Sequence, residues 1–137
     1  MLMSETFSLN TDGGARGNPG PSAIGGVIKN SSGEIVNQFK EFTGVSTNNV
    51  AEYSALIKGL SVALELGIDS LNCFLDSELV VKQINGMYRV KDENLKLLFE
   101  RVVNLKSKFS QISFNHVKRK ENSLADKLVN EALDSNT

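Results

Sequence analysis

The sequence contains a single cysteine, Cys73. That excludes an intrachain disulfide framework and fits a reducing compartment. Cys73 lies in an apolar run and reads as a small core residue. Histidine is as scarce, with His116 alone, so no cluster has the His/Cys spacing of a zinc site. A serine or cysteine hydrolase finds no nucleophile motif either. No apolar run approaches the ~18 residues of a membrane span. Met1-Leu2-Met3-Ser4-Glu5 lacks the basic-then-apolar pattern of a secretory leader. Neither charge sign dominates: 15 Lys+Arg face 16 Asp+Glu, for a net charge of −1. A globally basic nucleic-acid coat is thereby excluded, and a polyanion would have to meet a local patch. What is present is ordinary for a globular chain, with 40% hydrophobic and 23% charged residues over 137 positions. The expectation is one soluble cytoplasmic domain over 1–137, with a core that needs no staples.

Both prolines, Pro19 and Pro21, fall in the turn Gly17-Asn18-Pro19-Gly20-Pro21. Before it, Phe7, Leu9 and Thr11 alternate with polar residues, a strand period ending at Asp12. Residues 23–29 and 35–43 predict two more strands, joined by the turn at 30–33. Short connections make the first three strands an antiparallel meander. The period then becomes helical at Tyr53, Leu56, Ile57, Leu60 and Leu64. Asn49 and Glu52 have the spacing of a capping box, and Gly67 ends that helix. A strand at 71–76 precedes a helix capped by Ser77 and broken at Asn85-Gly86. A further helix spans 92–108, and Ile112, Phe114 and Val117 mark a last strand. Asn122 or Ser123 caps the final helix. The order β-β-β-α-β-α-α-β-α implies an α/β fold: a mixed five-stranded sheet, three strands antiparallel then two parallel, flanked by helices.

Four acids stand at strand ends or helix starts: Asp12, Glu52, Asp76 and Asp126. Ligands gather at the carboxyl ends of parallel strands, so Asp12 and Asp76 converge if their strands are neighbours. Such a cluster repels itself unless protonated or holding a cation, and hard oxygen donors select Mg²⁺ or Mn²⁺. Each acid also has a structural reading. Glu52 suits a capping box, Asp126 a helix N-terminus and Asp12 a turn before glycines. Asp76, ending an apolar strand, has the weakest such alternative.

Four blocks in order resemble the type 1 ribonuclease H family. They are Thr11-Asp12-Gly13-Gly14-Ala15-Arg16-Gly17-Asn18-Pro19-Gly20-Pro21, Thr47-Asn48-Asn49-Val50-Ala51-Glu52, Leu75-Asp76-Ser77-Glu78-Leu79-Val80 and Glu121-Asn122-Ser123-Leu124-Ala125-Asp126. The resemblance implies a ribonuclease H-like fold and an endonuclease that cuts the RNA strand of RNA/DNA hybrids, leaving 5′-phosphate and 3′-hydroxyl ends. It implies two Mg²⁺ ions, with Mn²⁺ as a substitute, held by Asp12, Glu52, Asp76 and Asp126, Asp12 bridging. Asn18, Thr47, Asn48 and Asn49 match positions that contact the hybrid. The resemblance implies neither a membrane nor an obligate protein partner.

Two departures from the family pattern stand out. The long basic segment that grips the hybrid in many members is missing, and 85–92 offers only Arg89 and Lys91. This resembles the compact archaeal and bacterial branch, which implies RNA/RNA duplexes or RNA–DNA junctions as further substrates. The loop that carries a histidine before the fourth acid is also too short here. His116 falls on the strand as a surface residue, and Arg119 in Lys118-Arg119-Lys120 is the candidate cation near the departing phosphate. Without the four candidate ligands, twelve acids face fifteen bases, so the remaining surface suits a polyanion. A non-catalytic hybrid-binding module is disfavoured by the presence of all four acids. A nucleotide phosphotransferase lacks the lysine of a Walker loop.

Overall fold

The computed structural model describes residues 5–136, so the leader reading at Met1 to Ser4 lies outside the described residues. Strands β1 (Thr6–Ala15), β2 (Gly20–Lys29) and β3 (Ile35–Ser46) form the meander. They are followed by α1 (Asn48–Glu65), β4 (Ser70–Leu75), α2 (Glu78–Ile84), α3 (Glu93–Lys106), β5 (Gln111–His116) and α4 (Ser123–Asp134). The sheet order is β3-β2-β1-β4-β5, antiparallel among the first three and parallel for β1–β4 and β4–β5. The predicted architecture is therefore the observed one. β1 runs three residues past the predicted end at Asp12, because Gly13, Gly14 and Ala15 still pair with β2. The interval before α4, predicted as a loop, contains a 3₁₀ turn over Arg119–Asn122.

Strand alternation sends Leu9 and Thr11 to one face and Asn10 and Asp12 to the other. The first face carries the main core, where Leu9, Ile28, Leu71, Cys73 and Leu75 meet Tyr53, Leu56 and Leu60 of α1. Burial pushes the Cys73 thiol up, so it stays an inert core group, as expected. The second face carries a smaller cluster of Ala23 with Val129, Ala132 and Leu133 of α4.

Two glycines let the helices reach the sheet. A Cβ on Gly13 would collide with the Ala51 carbonyl and lie 2.7 Å from the Glu52 nitrogen. A Cβ on Gly25 would lie 2.8 Å from the Ala125 oxygen and 2.9 Å from the Leu128 Cβ. Gly25 is the cross-strand partner of Asp12, so this second contact sets the height of α4 over the acid. Gly25→Ala should therefore destabilise the fold by about 1–3 kcal/mol, the usual overpacking cost. A thermal melt reads this, and an unchanged Tm would show that α4 can shift freely.

Candidate active site

The register brings the first two acids together. Thr11 stands opposite Leu75 in the parallel β1–β4 ladder. The next residues, Asp12 and Asp76, thus leave that ladder side by side at its carboxyl end. On its other side Asp12 is still paired with Gly25, which fixes its backbone. Glu52 arrives from the first face, where its Oε1 accepts from the Gly13 N–H at 3.2 Å. One carboxylate oxygen each from Asp12, Glu52 and Asp76 lies within 4.8 Å of the others.

Asp126, on the first turn of α4, stands outside that tight group. Its Oδ1 lies 3.4 Å from Arg119 Nη2. All four acids line one open cleft of about 360 Å³, together with Asn48, Asn49, Arg119 and Asn130. Asn18 and Thr47 are not among the lining residues. Asn18 Oδ1 accepts from the Asn48 N–H, and Thr47 Oγ1 accepts from the Val50 N–H. His116 is exposed at the end of β5 and does not line the cleft.

The capping-box reading of Asn49 and Glu52 is corrected. Thr47 is the N-cap of α1, and Glu52 turns inward to Gly13 instead of back to the helix start. Asn48 is drawn away from its own helix and accepts from the Ala15 N–H at 2.8 Å. Asn122 occupies the N-cap position of α4 but makes no capping bond. Its buried amide joins three parts of the site. Nδ2 donates to the Thr11 carbonyl at 2.8 Å and reaches Asp76 Oδ2 at 3.5 Å, while Oδ1 accepts from Asn10 Nδ2 at 3.0 Å. A polar residue at a helix start reads as a cap, so local sequence carries no signal for this role.

Burial is the main cause that pushes the Asp12 carboxyl up to about 7. Its hydrogen bond with Glu52 works the other way, and the charges of Asp76 and Asp126 add to the rise. Glu52 is held well above its ordinary range by burial first and then by the charge of Asp12. Its Oε2 is buried without a hydrogen-bond partner. Crowded, desolvated oxygen donors with one unpaired buried oxygen fit a hard divalent cation, which would bring the charge the cluster lacks. The nearby Arg119 is 79% exposed and belongs to the rim.

Fold and site together define the ribonuclease H-like class of α/β proteins. The family model described as "Reverse transcriptase-like" matches residues 10–132. Ribonuclease HI of Halobacterium salinarum is 43% identical over 123 residues, covering 90% of this chain and 62% of that protein. The crystal structure of RNase H1 from the same archaeon superposes with a TM-score of 0.93 at 41% identity, covering 95% of this chain and 98% of that one. The N-terminal RNase H domain of a Mycobacterium tuberculosis protein, solved as a fusion, gives 0.93 at 39% identity, covering 96% of each chain. LC11-RNase H1, from a compost metagenome and solved with an RNA/DNA hybrid, gives 0.90 at 41% identity, covering 94% and 97%. This chain belongs to the type 1 ribonuclease H family, whose members depend on divalent metal. It spans 35% of the length of its mycobacterial relatives. Among the described residues no helix is long and apolar enough to cross a membrane.

Proposed function

We propose that this chain is a single ribonuclease H catalytic domain that hydrolyses the RNA strand of RNA/DNA hybrids, leaving 5′-phosphate and 3′-hydroxyl ends. The observation that carries this reading is the convergence of Asp12, Glu52 and Asp76 where β1 and β4 end, with Asp126 lining the same cleft. A similar protein bound to an RNA/DNA hybrid supports the choice of substrate.

The four acids Asp12, Glu52, Asp76 and Asp126 would hold two Mg²⁺ ions, with Mn²⁺ as a substitute. Bound there, the ions would supply an activated water and charge neutralisation at the leaving oxygen. The chain's own part is positioning. β1 and β4 fix Asp12 and Asp76, Gly13 fixes Glu52, and the buried amide of Asn122 steadies the Asp76 carboxylate. Asn48 and Asn49 would meet the backbone of the hybrid in the cleft, with Asn18 and Thr47 at its edge. The RNA 2′-hydroxyl gives these polar groups a handle for telling the strands apart. The short 85–92 connection supports RNA/RNA duplexes and RNA–DNA junctions as further substrates. Cys73 as an unpaired buried thiol suits a cytoplasmic setting.

Labelled RNA/DNA, RNA/RNA and DNA/DNA duplexes, each incubated with and without Mg²⁺, test the proposal. Metal-dependent cleavage of the hybrid's RNA strand is expected. Cleavage without metal, or none of the hybrid, would overturn it.

Arg119 is the proposed cation at the departing phosphate. Arginine stays protonated and cannot act as a base, so its role is electrostatic. Arg119→Ala should lower the single-turnover rate more than His116→Ala across the pH range at saturating Mg²⁺. The reverse order would transfer the role to the histidine.

A further inference from the structure

A second arginine lines the same cleft. Arg16 sits in the β1–β2 turn, and its side chain is 43% exposed. Its Nη2 lies 2.7 Å from Asp134 Oδ1 and 3.4 Å from Asn130 Oδ1. Asp126, Asn130 and Asp134 follow one another at four-residue spacing, so they form one stripe along α4. Arg119 meets the first of them and Arg16 the second and third. By helical rise the stripe is about 12 Å long. The acid cluster therefore opens into a cleft with one arginine at the near end of the stripe and another farther along it.

We infer that Arg16 is a second backbone-phosphate contact for the nucleic-acid strand in the cleft, on a different phosphate from the one Arg119 faces. This rests on the hydrolase reading above. The contacts to α4 use one terminal nitrogen, Nη2, of a guanidinium that carries five N–H donors in a planar fork. Nη1 and Nε are the donors that would meet the phosphate. Asp134 and Asn130 hold the fork in place, which lowers the entropy lost when the phosphate binds. A nucleic-acid strand carries a phosphate for every ~3.4 Å of axis, so a strand lying along the stripe would offer more than one. The placement of Arg16 beyond Asp126 extends recognition along the strand without adding base readout.

Purely structural tethering of the β1–β2 turn to α4 is the competing account, and salt dependence separates the two. With an RNA/DNA hybrid at saturating Mg²⁺, Arg16→Ala should raise KM roughly five- to tenfold, with a much smaller effect on kcat. Its plot of log KM against log salt should be shallower by about one phosphate contact. Arg16→Lys, which keeps the charge but not the fork, should restore the slope and only part of the KM. A wild-type KM and salt slope in Arg16→Ala would overturn the inference. So would a KM rise with an unchanged slope and a lowered Tm, which is the tethering outcome. Either failure leaves metal-dependent cleavage by the wild-type protein intact, so it is distinct from failure of the hydrolase reading itself.

Discussion

Asp12→Asn is expected to abolish hybrid cleavage while leaving the domain folded and the metal-free protein as stable as before, or more so. The substitution keeps the shape of the side chain and its place between Gly25 and the end of the β4 ladder. It removes one charge from a cluster in which burial and the neighbouring carboxylates already oppose ionisation. It also removes a carboxylate proposed to hold metal beside Glu52 and Asp76. The sign of the pH effect follows from the direction of the shift. Asp12 titrates at about 7 in the fold against an ordinary 3.8, so the native state binds its proton more tightly than the unfolded chain. The stabilisation from that bound proton is complete below 3.8 and is lost as pH rises through 7. Without metal, the Tm advantage of Asp12→Asn over wild type should therefore widen between those limits. Mg²⁺ should raise the wild-type Tm more than the variant's. Turnover near the wild-type rate in Asp12→Asn would refute the assignment.

Glu52→Gln should be nearly as damaging to activity and almost silent in a melt. The amide oxygen of glutamine can still accept from the Gly13 N–H, and Thr47 rather than residue 52 caps α1. What the substitution removes is the capacity for negative charge, which a bound cation would draw out, at a buried oxygen without a hydrogen-bond partner. Activity should fall by a factor of a hundred or more (about 2.7 kcal/mol in the barrier) while Tm shifts by only a few degrees. A stable, fully active variant would mean that Glu52 contributes packing alone.

The element order was legible because hydrophobic period switches between two and about 3.6 wherever a strand meets a helix, turn residues mark the other junctions, and those periods reflect burial directly. The apolar residues of 71–75 and the glycine breaks at 67 and 86 fall where the strand and the helix ends are. Asp12 and Asp76 were legible as strand-end acids, but their adjacency depends on the Thr11–Leu75 register, a tertiary fact that no local pattern encodes. Asn49 misled because a capping box is read in sequence from residue type and spacing, which carry nothing of the tertiary partners. The close approach of Ala51 to Gly13 gives Glu52 a different partner, and Thr47 takes the cap. Asn122 and Arg16 escaped for a related reason. Their partners are roughly a hundred or more residues away in sequence, at Asn10 and Thr11 for the one and at Asn130 and Asp134 for the other.

The two faces of the sheet are unequally bound. α1 buries nine residues and is anchored by the main core, whereas α4 buries five, Ala125, Leu128, Val129, Ala132 and Leu133. Opening of a segment costs least where least apolar surface must be exposed. α4, with the smaller buried face, should therefore open at lower cost than α1, while β1, β4 and α1 keep Asp12, Asp76 and Glu52 together. Such an opening would carry away Asp126, the partner of Arg119, together with Asn130 and Asp134, the partners of Arg16. The cleft thus has one wall held by less apolar burial than the other, and both of its arginines lean on that less buried wall.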